Sequence, residues 1–313
     1  MRSVPTLKEL ARSSVADLLL CKSMIPKGPE SETVQVWQVA PAGGAQRRDQ
    51  VAVEEPLEIR LISRQSGRWE EQSISVTMRT PGHDFELVAG FLFGEGIIKD
   101  GHDLEQLSYC LGTGKPEQEY NIVKVRLREG LHFDALRLKR NFYTSSSCGV
   151  CGKSSLEALA IQGCAALSTN GLRVTSQMLS HMPEALLREQ VVFERTGGLH
   201  AAGLFDREGR LIGLHEDVGR HNAVDKLIGE QLLQGKTPLE HRLLLVSGRA
   251  SFEILQKALM AKLPLVAAVG APSSLAVSLA REYHITLVGF VRRECFNVYS
   301  GAERILNLAN LSR

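Results

Sequence analysis

Apolar and polar residues alternate in Glu58-Ile59-Arg60-Leu61-Ile62 and in Ser73-Ile74-Ser75-Val76-Thr77-Met78, the period-two pattern of half-buried strands. Thr80-Pro81-Gly82 then predicts a turn. The apolar stretch 85–93 predicts a helix that stops near Gly94 and Gly96, and 120–126 alternates again as a strand. Before this patterned part, 6–21 fits a short amphipathic helix. The stretch 27–50, rich in Pro, Gly, Ala and Arg, reads as loop or strand edge. Further along, 154–162 reads as a helix. Val191-Val192-Phe193 and 201–205 are strand-like, and 206–209 is a turn leading to 211–214, which completes a hairpin. Val224, Leu227, Ile228 and Leu232 fall at helical spacing within 223–233.

The last hundred residues are the most regular. Three short apolar runs, 243–246, 265–269 and 285–290, alternate with helical segments at 252–262 and 273–283. A β-α-β-α-β order implies parallel strands joined by right-handed crossovers. Ligands bind such sheets outside the carboxyl ends of the strands. The residues placed there are Ser247-Gly248-Arg249-Ala250-Ser251, Gly270-Ala271-Pro272-Ser273-Ser274 and Val291-Arg292-Arg293. Small residues let the backbone approach a ligand, helix N-termini present free N–H groups to anions, and arginines offer bidentate donors. Turns and serine caps serve any parallel sheet, but the three loops together favour a phosphorylated ligand. The chain divides into an extension over 1–48, a smaller α+β region over 49–140 and an α/β domain over 141–313.

Composition changes little in this picture. The 313 residues are 43% hydrophobic and 23% charged, with a net charge of +2, so no overall field points to nucleic acid or a membrane surface. No run reaches the ~18–20 apolar residues of a membrane span. Leu18-Leu19-Leu20-Cys21 has the outline of a lipoprotein cleavage site, but Glu9 and Asp17 interrupt the apolar core a leader needs. The expected compartment is the cytoplasm.

Cysteine usage narrows the chemistry. Of the six cysteines only Cys148 and Cys151 are close, in Ser147-Cys148-Gly149-Val150-Cys151-Gly152-Lys153, and in a reducing compartment such a pair is catalytic or metal-binding rather than structural. The flanking glycines leave the sulfurs accessible. Lys153 and a helix starting near Ser154 would favour a thiolate. Three chemistries compete. Structural zinc wants four ligands, and no second Cys-x-x-Cys exists. A zinc nucleobase deaminase wants His-x-Glu before Pro-Cys-x-x-Cys. Here Ser147 precedes Cys148, and His200-Ala201-Ala202 comes later with alanine in place of the glutamate. Thiol or persulfide chemistry needs only an activated thiolate. Two further clusters stand out. Gly197-Gly198-Leu199-His200 ends on a lone histidine, most simply a satisfied polar residue. The run from His215 through Glu216, Asp217, Arg220, His221 and Asp225 to Lys226 reads either as a capped helix start or as ligand contact or proton transfer, centred on Glu216, Arg220 and His221.

These residues also carry a family resemblance. Met78-Arg79-Thr80-Pro81-Gly82, Gly90-Phe91-Leu92 with Glu95-Gly96-Ile97-Ile98, the Cys148 loop, Gly198-Leu199-His200-Ala201-Ala202, the run 216–226, Ser247-Gly248-Arg249 and Asn297-Val298-Tyr299 resemble, in order, the FdhD family of formate dehydrogenase accessory proteins. The resemblance spans roughly residues 50–305. It implies a cytidine deaminase-like C-terminal domain, a homodimer, and a sulfurtransferase that carries sulfur as a cysteine persulfide. Sulfur would pass from a cysteine desulfurase to Mo-bis(molybdopterin guanine dinucleotide), the molybdenum cofactor of formate dehydrogenase. A cofactor chaperone or binding module without sulfur transfer is the first alternative, and a zinc-dependent site the second. By the resemblance Cys148 is the persulfide carrier and Cys151 a resolving or tuning thiol. The cofactor is expected along Phe290, Val291, Arg292, Arg293, Glu294 and Cys295, with Ser247, Arg249, Arg220 and His221 nearby. Around Cys295 the sequence lacks the basic residue expected of the family.

Overall fold

The computed structural model describes residues 28–65, 67–110, 120–131 and 164–308. The expected helices over 6–21 and 154–162 and the Cys148–Cys151 loop lie outside the described residues.

The first element is a long hairpin, β1 (Ser31–Ala40) and β2 (Gly43–Ala52), paired antiparallel from Ser31↔Ala52 to Ala40↔Gly43. Of the loop or strand edge expected over 27–50, the structure shows the strand, and the loop alternative is corrected. The hairpin buries almost nothing on either face, with Trp37 67% and Val39 80% exposed, so no core face imprints an alternation on its sequence.

Strands β3 (Glu55–Gln65) and β4 (Arg68–Arg79) follow, then α1 (Asp84–Gly94), β5 (Leu104–Tyr109) and β6 (Ile122–Leu127). They form a four-stranded sheet in the order β4-β3-β6-β5, with β3 and β6 parallel. Alternate residues Leu57, Ile59 and Leu61 of β3 are fully buried, as the period of two requires.

After β7 (Val174–Thr175) come α2 (Ser176–Arg188) and α3 (Val191–Thr196). The strand expected at Val191-Val192-Phe193 is thus a short helix. The Glu216 carboxylate accepts from the backbone N–H of Val192 (3.0 Å) and Phe193 (2.8 Å), and this cap overrides the β-branched preference.

The remaining elements are β8 (His200–Phe205), β9 (Leu211–Asp217), α4 (Arg220–Leu233), β10 (Leu243–Val246), α5 (Phe252–Met260), β11 (Leu265–Ala268), α6 (Ser274–Glu282), β12 (Thr286–Gly289), β13 (Asn297–Ser300) and β14 (Ile305–Leu306). Six of these strands make one sheet in the order β13-β12-β11-β10-β8-β9. As expected, β10, β11 and β12 are parallel and α5 and α6 cross over between them, while β8 runs antiparallel to both β10 and β9.

Successive strand residues face opposite sides, so the central strands feed two cores. Leu244, Val246, Val266, Ala268 and Leu287 pack with α1, α4, α5, α6 and the smaller sheet. Leu243, Leu245, Leu265, Ala267 and Val288 pack with Leu179, Met182 and Leu186 of α2 and with Ile305. The first core joins the smaller sheet to the larger one through α1 and α4. These helices touch backbone to backbone: a Cβ on Gly90 would strike the Asp225 carbonyl, and one on Gly229 would strike that of Glu86. No helix among the described residues is long and apolar enough to cross a membrane.

Candidate functional site: an anion-ready sheet edge

Beyond the carboxyl ends of β10, β11 and β12 the chain forms three loops that lie side by side. Ser247 extends the β8–β10 pairing, because its N–H donates to the Ala201 carbonyl (2.9 Å) and its Oγ accepts from the Ala201 N–H (2.8 Å). The Gly270 N–H donates to the Gly248 carbonyl (2.9 Å), and the Phe290 N–H to the Gly270 carbonyl (3.1 Å). Gly270 has to be glycine, since a Cβ there would lie 2.9 Å from the Gly248 oxygen.

Two histidines and two arginines gather on this edge. The antiparallel register sets His200, at the start of β8, beside Gly248, where a Cβ would lie 3.3 Å from His200 Nδ1 and 3.8 Å from Arg220 Cδ. His221, in the first turn of α4, places Nε2 2.9 Å from Ser251 Oγ and 3.7 Å from Glu253 Oε2. Ser251 is the N-cap residue of α5 but makes no side-chain cap bond, which leaves its hydroxyl for His221. Arg249 is exposed on the middle of the first loop. The Arg220 Nε is buried and has no hydrogen-bond partner among the described residues.

The electrostatics follow from that crowding. Burial is the main reason the pKa of His221 is pushed down to about 4, with the Arg220 charge adding to it and Glu253 opposing. Burial also lowers His200, helped by Arg220 and Arg249. Both rings are therefore neutral at physiological pH, each with one donor and one acceptor nitrogen. Neutral imidazoles beside fixed guanidinium charges suit a phosphate, which takes charge from arginine and hydrogen bonds from the rings.

The expected residues do not all share this edge in the same way. Ser247, Arg249, Arg220 and His221 come together. Of the 290–295 segment, Val291 is fully buried in the second core. Arg292 turns back on its own sheet, its Nη1 donating to the carbonyls of Val269 (2.8 Å) and Val291 (3.0 Å), so it ties the strand ends together. The Arg292 N–H also donates to the Cys295 carbonyl (2.9 Å), closing a turn. Phe290, with φ 53°, and Arg293, Glu294 and Cys295 are exposed on that turn. The 215–226 cluster splits: His215 faces Glu230 (3.2 Å), Glu216 caps α3, and Arg220 and His221 alone reach the sheet edge. Cys148 and Cys151 lie outside the described residues.

Two contributors escape the sequence reading: His200, which looks like an isolated polar residue, and Glu253, which faces His221. The signal for His200 is its place one residue before an apolar strand. Its value comes from the antiparallel pairing with β10, which no local pattern encodes.

Comparison with known proteins gives a consistent outcome. Residues 52–306 match the FdhD/NarQ family. The sulfur carrier protein FdhD of Streptomyces coelicolor is 48% identical over 280 residues, covering 89% of this chain and 96% of that protein. The protein of the same name from Mycolicibacterium paratuberculosis is 50% identical over 260 residues, covering 83% and 93%. The one from Sulfurisphaera tokodaii is 41% identical over 273 residues, covering 87% and 98%. Among solved structures, a protein described as a formate dehydrogenase accessory protein from Desulfotalea psychrophila superposes with a TM-score of 0.67 at 28% identity, over 89% of this chain and 100% of that one.

Proposed function

Because this chain belongs to the FdhD/NarQ family, we propose that it is a sulfur carrier that serves formate dehydrogenase by delivering sulfur to the molybdenum cofactor. The observation that carries this reading is the family match over 52–306, which contains both Cys148-Gly-Val-Cys151 and the arginine–histidine sheet edge.

The Cys148 thiolate attacks the outer sulfur of a cysteine desulfurase persulfide. The sulfur–sulfur bond of the donor breaks, the desulfurase thiolate leaves, and Cys148 becomes the persulfide. The substrate is Mo-bis(molybdopterin guanine dinucleotide), whose diphosphates suit the edge formed by Arg220, Arg249, His200 and His221. Cys151 then attacks the inner sulfur of Cys148 and releases hydrosulfide to the metal. The resulting disulfide is reset by a thiol reductant. Phe290 and the exposed turn 292–295 offer a surface for the guanine end. The antiparallel β9-β8 pair leading into parallel β10, β11 and β12 supports assigning the C-terminal part to the cytidine deaminase-like fold. A cytoplasmic homodimer completes the reading.

The test is isotopic. Incubation with a cysteine desulfurase and labelled cysteine adds one sulfur, reversibly by reductant, to the Cys148 peptide. Cys148→Ala abolishes that gain and the activation of formate dehydrogenase while leaving cofactor affinity intact. Full activation by Cys148→Ala would turn the reading into one of cofactor sheltering without sulfur transfer. Cys151→Ser loads sulfur but delivers it slowly.

A further inference from the structure

Met78-Arg79-Thr80-Pro81-Gly82 has no part in the chemistry above, yet it is fastened to the turn that leads into Arg220 and His221 at the start of α4. Asp217 is fully buried and divides its carboxylate between two segments. Oδ1 accepts from the Gly219 N–H (2.8 Å) and from Asn222 Nδ2 (3.0 Å), and so shapes the first turn of α4. Oδ2 accepts from the Thr80 N–H (3.2 Å) and pairs with Lys226 Nζ (2.7 Å). Lys226 in turn donates to the Thr80 carbonyl (2.9 Å). The Thr80 hydroxyl accepts from the Val218 N–H (3.2 Å), and Asn222 Nδ2 also donates to the Met78 carbonyl (2.7 Å). On the far side of the run, Arg79 is gripped by Asp84 through two bonds of 3.0 Å and by Glu55 at 3.1 Å. Thr80, Asp217, Asn222 and Lys226 are all buried, so each polar group in this seam depends on its partners.

A buried ion pair adds little net stability compared with a packed apolar pair. What this one adds is direction, because each oxygen of Asp217 addresses a different segment. We propose that Asp217 and Lys226 are positioning residues, which through Thr80 lock Arg220 and His221 into the anion-binding edge. The inference rests on reading that edge as the cofactor site.

Asp217→Asn separates positioning from local shape. The amide keeps one oxygen for the α4 turn but sets an NH2 against the Thr80 N–H and Lys226 Nζ, donor against donor. The full-length variant is compared with wild type in three measurements: sulfur loading of Cys148, affinity for guanosine 5′-diphosphate, and the His221 titration followed by NMR. Sulfur loading stays at the wild-type level. Nucleotide affinity falls about tenfold, the equivalent of one misplaced charge-assisted hydrogen bond. The His221 titration moves up toward 6.5, its ordinary value, as the ring leaves its packed place. Thr80→Val removes only the acceptor of the Val218 N–H and moves both readouts the same way by a smaller amount. A folded Asp217→Asn with nucleotide affinity and His221 titration unchanged would overturn the inference. If Asp217→Asn does not fold, the same result in Thr80→Val overturns it. If wild type binds no nucleotide, the cofactor reading of the edge fails, and the His221 titration alone decides the positioning role.

Discussion

At the residue scale, the strongest constraints are charges removed from water with their partners chosen for them. Arg79 is 1% exposed and meets Asp84 with both arms of its fork. Burial raises the Tyr109 hydroxyl, which donates to the same Asp84 carboxylate at 3.0 Å. Arg79→Met strands a buried carboxylate and costs about 3–5 kcal/mol in urea unfolding. Arg79→Lys keeps the charge but cannot bridge both oxygens, so it recovers only part of that loss. Glu216→Ala leaves two N–H groups of α3 without an acceptor and costs about 1–2 kcal/mol in the same measurement. His221 sets a pH dependence. Its folded pKa lies below its ordinary 6.5, so between 6.5 and about 4 the unfolded chain binds a proton that the folded chain refuses. Stability therefore falls as the pH drops through that window. His200 and His215, lowered by burial, slope the same way. Melting temperatures of His221→Gln fall less steeply than those of wild type across the window.

At the element scale, the crossing of α1 and α4 is set by Gly90 and Gly229, each facing the other helix's backbone. Gly229→Ala drives a methyl into the Glu86 carbonyl and costs about 1–3 kcal/mol, read as a fall in melting temperature, although alanine is the better helix former. This scale also shows what the sequence encodes. Strands β10, β11 and β12 are legible because each falls within a short apolar run of the sequence, and all their residues are buried. The β1–β2 hairpin is illegible because it has no buried face. Helix α3 misleads because its β-branched start is decided by Glu216, more than twenty residues further on. Strand β13 completes the sheet without a fully buried residue, and its pattern is correspondingly faint.

At the scale of the whole molecule, one core runs from Leu57 and Val123 in the smaller sheet to Val266 and Leu287 in the larger one. The two sheets are therefore expected to unfold in a single transition, with tryptophan fluorescence (Trp69 lies on β4) and far-UV circular dichroism giving coincident denaturant curves. Two separated transitions would contradict the shared core. The candidate site shows the same division between local and distant information. Its place at the strand ends follows from the β-α-β-α-β order, so Ser247, Arg249 and their loop are legible. The pairing of His200 with Gly248, and of His221 with Ser251, depends on β8 folding back antiparallel. That contact links residues distant along the chain. Arg292 reads as a phosphate ligand by residue type, and its Nη1 in addition ties the strand ends together, which residue type does not announce.

The touching backbones of α1 and α4 also bear on how such a chain can diverge. Where two helices meet through side chains, a larger residue on one can be offset by a smaller one on the other, and the joint drifts by exchange. Here nothing remains to be trimmed, since the opposing atoms are the carbonyls of Asp225 and Glu86. The exposed hairpin is free to vary in composition, while this joint admits no compensating pair. Variation in a lineage descended from this chain should therefore gather on either side of positions 90 and 229 and leave the spacing between its two sheets as an inherited constant.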